Sequence, residues 1–261
     1  MFALEIGSGT PLVFLHGFGL DHRSLLPLDA SIEQSGDWRR IYLDLPGATR
    51  SPAGGLNSSQ GIADAVVTEI IERIGDEPFA ILGNSFGGMI ARHVAHVLRP
   101  HVLGLATVAG VFVAAHVDRT VPDRTVLRTE PSIGMILGDA LTTYREDAVV
   151  ESPDDARSFL EFVLPGIEGA DRKALDRIAE HYSLDQEPEV AHPEPFLRPA
   201  LHITGLQDDV VGYEDAWGRR NHYPRGSFIT LDAAGHNILF EQSALCSALV
   251  VEWLDRIRRF H

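Results

Sequence analysis

The run Gly83-Asn84-Ser85-Phe86-Gly87-Gly88 constrains the fold more than any other segment of the chain. It follows the apolar stretch Phe79-Ala80-Ile81-Leu82 and leads directly into a helical pattern, Met89 to Leu98, that Pro100 ends. A serine held between a strand and a helix sits on a sharp turn with a strained backbone, and the residues two positions away on either side must be very small. Gly83 and Gly87 meet that need. The helix start behind the turn offers amide donors and positive potential to an oxyanion formed beside the serine.

A serine hydroxyl is a weak nucleophile alone, so the chemistry requires a histidine and an acid, expected later in the chain in the order Ser, Asp, His. Both candidates stand where strand patterns end. Asp208 closes Gly205-Leu206-Gln207-Asp208 after Leu201 to Thr204, and His236 closes Ala234-Gly235-His236 after Phe228 to Leu231. Asp208 would orient His236, which would take the Ser85 proton and later return it to the leaving group. Asp209 competes for the acid's place, but the G-x-x-D spacing favours Asp208. Of the 12 histidines, only His236 receives a catalytic role. His93 and His96, one helical turn apart, read as a packed or solvated face because no carboxylate stands at zinc-motif spacing. No metal or cofactor is expected.

Around these motifs the first half alternates strand and helix patterns, the signature of a mostly parallel sheet with helices on both faces. Leu12–Leu15 and Arg40–Leu43 are strands ending in glycine turns. Ile62, Val66, Ile70 and Ile74 mark an amphipathic helix, and Val102–Val108 is a further strand. From residue 113 to 197 the alternation stops. Helical stretches at Ala156–Leu164 and Arg172–Tyr182 follow one another, and a proline-rich return (Pro188, Pro193, Pro195, Pro199) closes the segment. The expected organisation is a core of residues 1–112 and 198–261 with a helical insertion at 113–197. Strands at Ala200–Thr204 and Ser227–Leu231 flank a helix around Tyr213–His222. A last helix carries Leu245, Leu249, Trp253 and Ile257.

Charge narrows the partners. Lys and Arg number 22 against 37 Asp and Glu, a net charge of -15, which repels nucleic-acid backbones and anionic membranes alike. Cys246 is the only cysteine, so no internal disulfide can form. Met1-Phe2-Ala3-Leu4-Glu5 lacks the features of a signal peptide, and a cytoplasmic location is expected. The Val102–Ala115 stretch is too short to span a membrane and reads as a buried strand with its exit loop.

With these residues in place, the chain resembles the α/β-hydrolase superfamily, in the serine-nucleophile branch with a helical cap after the sixth strand. The resemblance covers nearly the whole sequence. It implies that the turn around Ser85 is a nucleophile elbow, that the amides of Phe18 and Phe86 form an oxyanion hole, and that His16 fixes its loop. Asp44-Leu45-Pro46-Gly47 is similar to the family's Asp-Leu-Pro-Gly-x-Gly-x-Ser turn, with Thr49 in place of the second glycine. The implied activity is hydrolysis of a small-molecule ester through an acyl-enzyme. Carbon–carbon bond hydrolysis of a diketone or ring-fission product remains open, although Asn237 follows His236 where those enzymes commonly place tryptophan. Perhydrolysis and a receptor-like role with slow turnover also remain open, as does the choice between monomer and homodimer. Phe112, Met135, Phe159, Phe162 and Trp217 are candidates to line an acyl pocket.

Overall fold

A computed structural model describes residues 1–260. Seven strands form one sheet: β1 (Ala3–Ile6), β2 (Thr10–Leu15), β3 (Trp38–Leu43), β4 (Phe79–Asn84), β5 (Val102–Val108), β6 (Ala200–Gly205) and β7 (Gly226–Leu231). Their spatial order is β1-β3-β2-β4-β5-β6-β7. All neighbours are parallel except β1, which runs antiparallel to β3 with Ala3 opposite Leu43 and Ile6 opposite Arg40. Every residue of β4 and β6 is buried, which is why these strands read as continuous apolar runs and not as alternation. At the edge, β7 is only half-buried. β1 is not evident in the sequence, since four residues are too few to establish a period.

Helices cover both faces. After α1 (Asp29–Glu33), α2 (Ser59–Ile74) begins where the Ser58 hydroxyl accepts the Gly61 amide and buries Ile62, Val66, Ile70 and Ile74. α3 (Phe86–Val97) starts one residue after β4 and follows the serine turn. Between β5 and β6 run α4 (Ile133–Leu137), α5 (Leu141–Asp147), α6 (Pro153–Ser158), α7 (Leu164–Gly169), α8 (Arg172–Ala179) and α9 (Pro188–Ala191). This helical segment follows the fifth strand of the chain, where the resemblance implied the sixth, because only the short β1 precedes the parallel strands on the N-terminal side. It has a small core of its own, in which Ile133, Leu137, Tyr144, Ala156, Phe159 and Val163 pack together.

Four helices differ from the sequence reading, the simplest being α8, which ends at Ala179 where the reading ran to Tyr182. The stretch expected at Ala156–Leu164 spans α6, a π-helical turn at Phe159–Val163 and the start of α7. Pro165 accounts for the turn, since it has no amide and its ring crowds the carbonyl four residues earlier. The helix expected at Tyr213–His222 divides into α10 (Glu214–Gly218) and a 3-10 turn at Arg220–His222. The short α11 (Ile238–Glu241) precedes the final helix, α12 (Ser243–Arg259). α12 buries Cys246, Val250, Trp253, Leu254 and Ile257 and leaves Leu245 exposed. A strict i,i+4 series drifts about 40° per step around a helix, so Leu245 has turned off the buried face. Among the described residues no helix is long and apolar enough to cross a membrane.

The return from the helical segment is pinned to the core by a buried ion pair. Arg92 on α3 is fully buried and donates from Nε to Glu189 on α9 at 2.8 Å and from Nη1 to the Val111 carbonyl at 2.8 Å. The Tyr223 hydroxyl also donates to Glu189. Each buried charge is thereby paired and hydrogen-bonded, the condition under which burial is tolerated.

Candidate active site

Ser85 sits at φ 50 and ψ -118, a backbone region that residues with a Cβ seldom enter. Hydrogen bonds hold it there: its amide donates to Val108 at 3.0 Å, and its carbonyl accepts from Gly88 at 2.9 Å and Val111 at 3.0 Å. The flanking glycines are sterically required. A Cβ on Gly83 would lie 2.1 Å from the Gly87 carbonyl oxygen, and one on Gly87 would lie 2.1 Å from the Leu15 carbonyl oxygen.

The loops after β6 and β7 carry Asp208 and His236 to the same end of the sheet. They approach so closely that a Cβ on Gly205 would lie 2.4 Å from the Ala234 carbonyl oxygen, which gives the G-x-x-D spacing a physical reason. Ser85 Oγ lies 2.9 Å from His236 Nε2, and His236 Nδ1 lies 3.1 Å from Asp208 Oδ2. The other Asp208 oxygen accepts the Val210 and Val211 amides, each at 3.0 Å. Asp209 points elsewhere and pairs with Arg124 at 3.7 Å.

Phe18 stands in the loop after β2 and Phe86 at the first position of α3. Among the described residues, neither backbone amide donates to a protein acceptor. The two phenyl rings meet edge to face, 5.2 Å apart. His16 holds this loop in place: its Nδ1 donates to the Gly17 carbonyl and its Nε2 accepts the Leu45 amide, both at 2.8 Å. Burial keeps its pKa below the ordinary value, so the ring is neutral and can play both roles. Thr49 donates to Asp21 at 3.0 Å and abuts Gly169 of the helical segment. Asp21, His22 and Asp44 bring one ligand-type atom each within 4.8 Å of one another. Within that cluster His22 Nδ1 meets Asp44 Oδ1 at 2.7 Å and Arg23 engages Asp21, while Asp44 Oδ2 is buried without a hydrogen-bond partner among the described residues.

Burial pulls the pKa of His236 down. The Asp208 carboxylate, through charge and hydrogen bond, and then Asp147 outweigh that effect, and the net displacement is upward from 6.5. Asp147, at the end of α5, is itself raised by burial and by the Asp208 and Asp209 charges. Sequence reasoning did not single out Asp147, because nothing in its own segment announces proximity to a histidine 89 positions later (236 - 147). Glu241 was also missed. Its carboxylate accepts the Val149 and Val150 amides at 2.6 and 3.1 Å and the Gly235 amide at 2.7 Å, tying the helical segment to the residue before His236.

A cavity of about 570 Å³ lies over Ser85 and His236. Phe159, Val163, Leu175 and Tyr182 supply apolar wall, while Glu146, Asp147, Asp176 and Arg172 supply charge. Of the five candidates for an acyl pocket, Phe159 alone lines this cavity. Phe112 is buried under the Arg92 guanidinium, which lies 4.1 Å from its ring centre. Met135 is 88% exposed and Trp217 faces a different cavity. Phe162 is half-buried outside the cavity wall. Met135, Phe162 and Trp217 lie on α4, the π turn and α10, elements too short for sequence periodicity to fix which face turns inward.

The family model described as alpha/beta hydrolase fold matches residues 10–243, and the chain belongs to that family. A solved alpha/beta superfamily hydrolase from Oenococcus oeni PSU-1 superposes with a TM-score of 0.93 at 26% identity, covering 98% of this chain and 96% of that one. A thermophilic esterase from Thermogutta terrifontis shares the fold, with a TM-score of 0.65 at 20% identity over 98% of this chain and 93% of its own. Among curated proteins, the pimeloyl-[acyl-carrier protein] methyl ester esterase of Shewanella oneidensis is 35% identical over 106 residues. That match covers 40% of this chain and 36% of the relative's length.

Proposed function

We propose that this protein is a serine esterase acting on small-molecule esters, with Ser85, His236 and Asp208 as its catalytic triad. The observation that carries the reading is the continuous hydrogen-bonded line from Ser85 Oγ through His236 to Asp208. His236 Nε2 accepts the Ser85 proton as Oγ attacks the ester carbonyl carbon, and Asp208 stabilises the imidazolium that forms. The amides of Phe18 and Phe86 hold the negative oxygen of the tetrahedral intermediate; losing one such donor typically costs about 3–4 kcal/mol of barrier. As the intermediate collapses, the imidazolium protonates the departing alkoxide. Water, deprotonated by His236, then attacks the acyl-Ser85 carbonyl and releases the acid and the free serine.

Residues 113–197 act as a lid in this reading, supported by the α5, α7 and α8 side chains in the cavity wall. With three carboxylates and one arginine facing the cavity, neutral esters are favoured over substrates bearing a free carboxylate. The name of the Shewanella oneidensis relative, a methyl ester esterase, supports ester chemistry without fixing the acyl group. A series of p-nitrophenyl esters from acetyl to decanoyl tests the proposal: turnover should peak at one chain length. A folded protein that leaves the whole series intact overturns it.

A further inference from the structure

The edge of the sheet carries a second cavity that the proposed esterase chemistry does not use. It measures about 240 Å³, lies between β6, β7 and α10, and shares no wall residue with the cavity over Ser85. Tyr213, Trp217 and Phe228 supply aromatic wall, and Glu214 stands with them. The Trp217 and Phe228 rings meet at 89° with centres 5.8 Å apart, so a flat ring lying against either one is met edge-on by the other. This is the geometry aromatic rings prefer.

His202 on β6 also lines this cavity, although it is only 1% exposed. Its Nδ1 meets the Thr107 hydroxyl at 2.9 Å, and its ring packs against Phe112, Tyr223 and Phe228. Its Nε2 is buried and has no hydrogen-bond partner among the described residues. A buried nitrogen without a partner is costly, and an aliphatic side chain would fill the same place on a strand without that cost. The nearby Thr204 and Thr230 hydroxyls bond to each other at 3.0 Å, so among the described residues of this wall His202 Nε2 is the buried side-chain polar atom without a partner.

We infer that this cavity binds a neutral phenol or aromatic alcohol, with its ring against Trp217 and Phe228 and its hydroxyl bonded to His202 Nε2. A hydroxyl both donates and accepts, so it satisfies Nε2 in either neutral tautomer, whereas a carbonyl fits only one. Glu214 beside the cavity offsets the Arg220 guanidinium, which lies 5.1 Å from the Trp217 ring centre, and the net charge of -15 disfavours an anion. The volume admits one ring or a fused pair and excludes larger skeletons.

The chain has three tryptophans. Trp38 and Trp253 are buried at 2% and 0% exposure, while Trp217 is 54% exposed and lines the cavity. Nitrogen-15 labelling of tryptophan therefore reports on this site through one indole resonance. Titration with 4-ethylphenol should move the Trp217 signal saturably and leave the other two in place. Ethylbenzene, of the same shape without the hydroxyl, should bind at least tenfold more weakly. His202→Phe, which keeps the ring packing, should bring the two affinities within twofold, and Ser85→Ala should change neither. Equal affinity of the two probes for the unaltered protein, or no saturable Trp217 shift, overturns the inference. Should His202→Phe fail to fold, the comparison of the two probes decides alone.

Discussion

His236 Nε2 lies 2.9 Å from Ser85 Oγ, although 151 positions separate the two residues in sequence. The parallel sheet makes this meeting possible. Strands β4, β6 and β7 all end on the same side, and the loops leaving those ends carry the serine, the aspartate and the histidine. Ligand and reaction sites of open parallel sheets form at this carboxyl edge for the same reason.

The protonation of His236 sets the first prediction. Its pKa is displaced upward from 6.5, and a general base must be neutral to accept the Ser85 proton. Ester hydrolysis should therefore rise with pH and reach half its plateau above pH 6.5. Because Asp147 contributes to the upward displacement, Asp147→Asn should lower that midpoint. A pH–rate profile of both proteins decides; a midpoint that the substitution leaves in place removes Asp147 from the account.

A second prediction concerns the serine turn. A Cβ at residue 87 would lie 2.1 Å from the Leu15 carbonyl oxygen, an obstacle of backbone and not of a flexible side chain. Gly87→Ala should destabilise the fold by more than about 3 kcal/mol, in the range reserved for severe core lesions. Denaturant unfolding measures this directly. A loss below about 1 kcal/mol would mean that β2 and α3 can separate more easily than their contact implies.

Much of this site is legible in the sequence, and the reasons are local. The Ser85 turn is a contiguous strand–turn–helix signal, and Asp208 and His236 each follow an apolar run within a few residues. The cavity over Ser85 is different. Its walls come from α5, α7, α8 and the π turn, so Asp147, Leu175 and Arg172 converge only after these short helices pack. Met135 and Trp217 are apolar in sequence yet exposed in the fold, because short helices with irregular ends do not fix which face turns inward. Glu241 could be noticed only once the amides of Val149 and Gly235 were side by side.

Glu241 supplies the third prediction. Its two oxygens serve three amides from two segments far apart in sequence. Glu241→Gln turns one accepting oxygen into a donor facing an amide, at a cost of about 1–3 kcal/mol. Both the melting temperature and kcat should fall, and Ser85→Ala should leave the melting temperature within a degree or two of the unaltered protein. Equal melting temperatures for Glu241→Gln and the unaltered protein would sink this role.

The Arg92–Glu189 pair provides the fourth. Removing one partner of a buried pair strands the other charge, which typically costs about 3–5 kcal/mol. Arg92→Met should lose stability in that range, and the double variant Arg92→Met, Glu189→Met should recover a large part of it. A thermodynamic cycle from urea unfolding tests this; additive losses would contradict a direct pairing.

The central claim is that Ser85 is the nucleophile, and trapping it is the most direct test. Incubation with diethyl p-nitrophenyl phosphate should release one p-nitrophenolate per protein, abolish ester hydrolysis, and leave the phosphoryl group on the peptide that contains Ser85. Ser85→Ala should take no label and lose about 10⁴-fold or more of the hydrolysis rate. Label on another residue, or ester hydrolysis that persists in Ser85→Ala at the rate of the unaltered protein, would contradict the account.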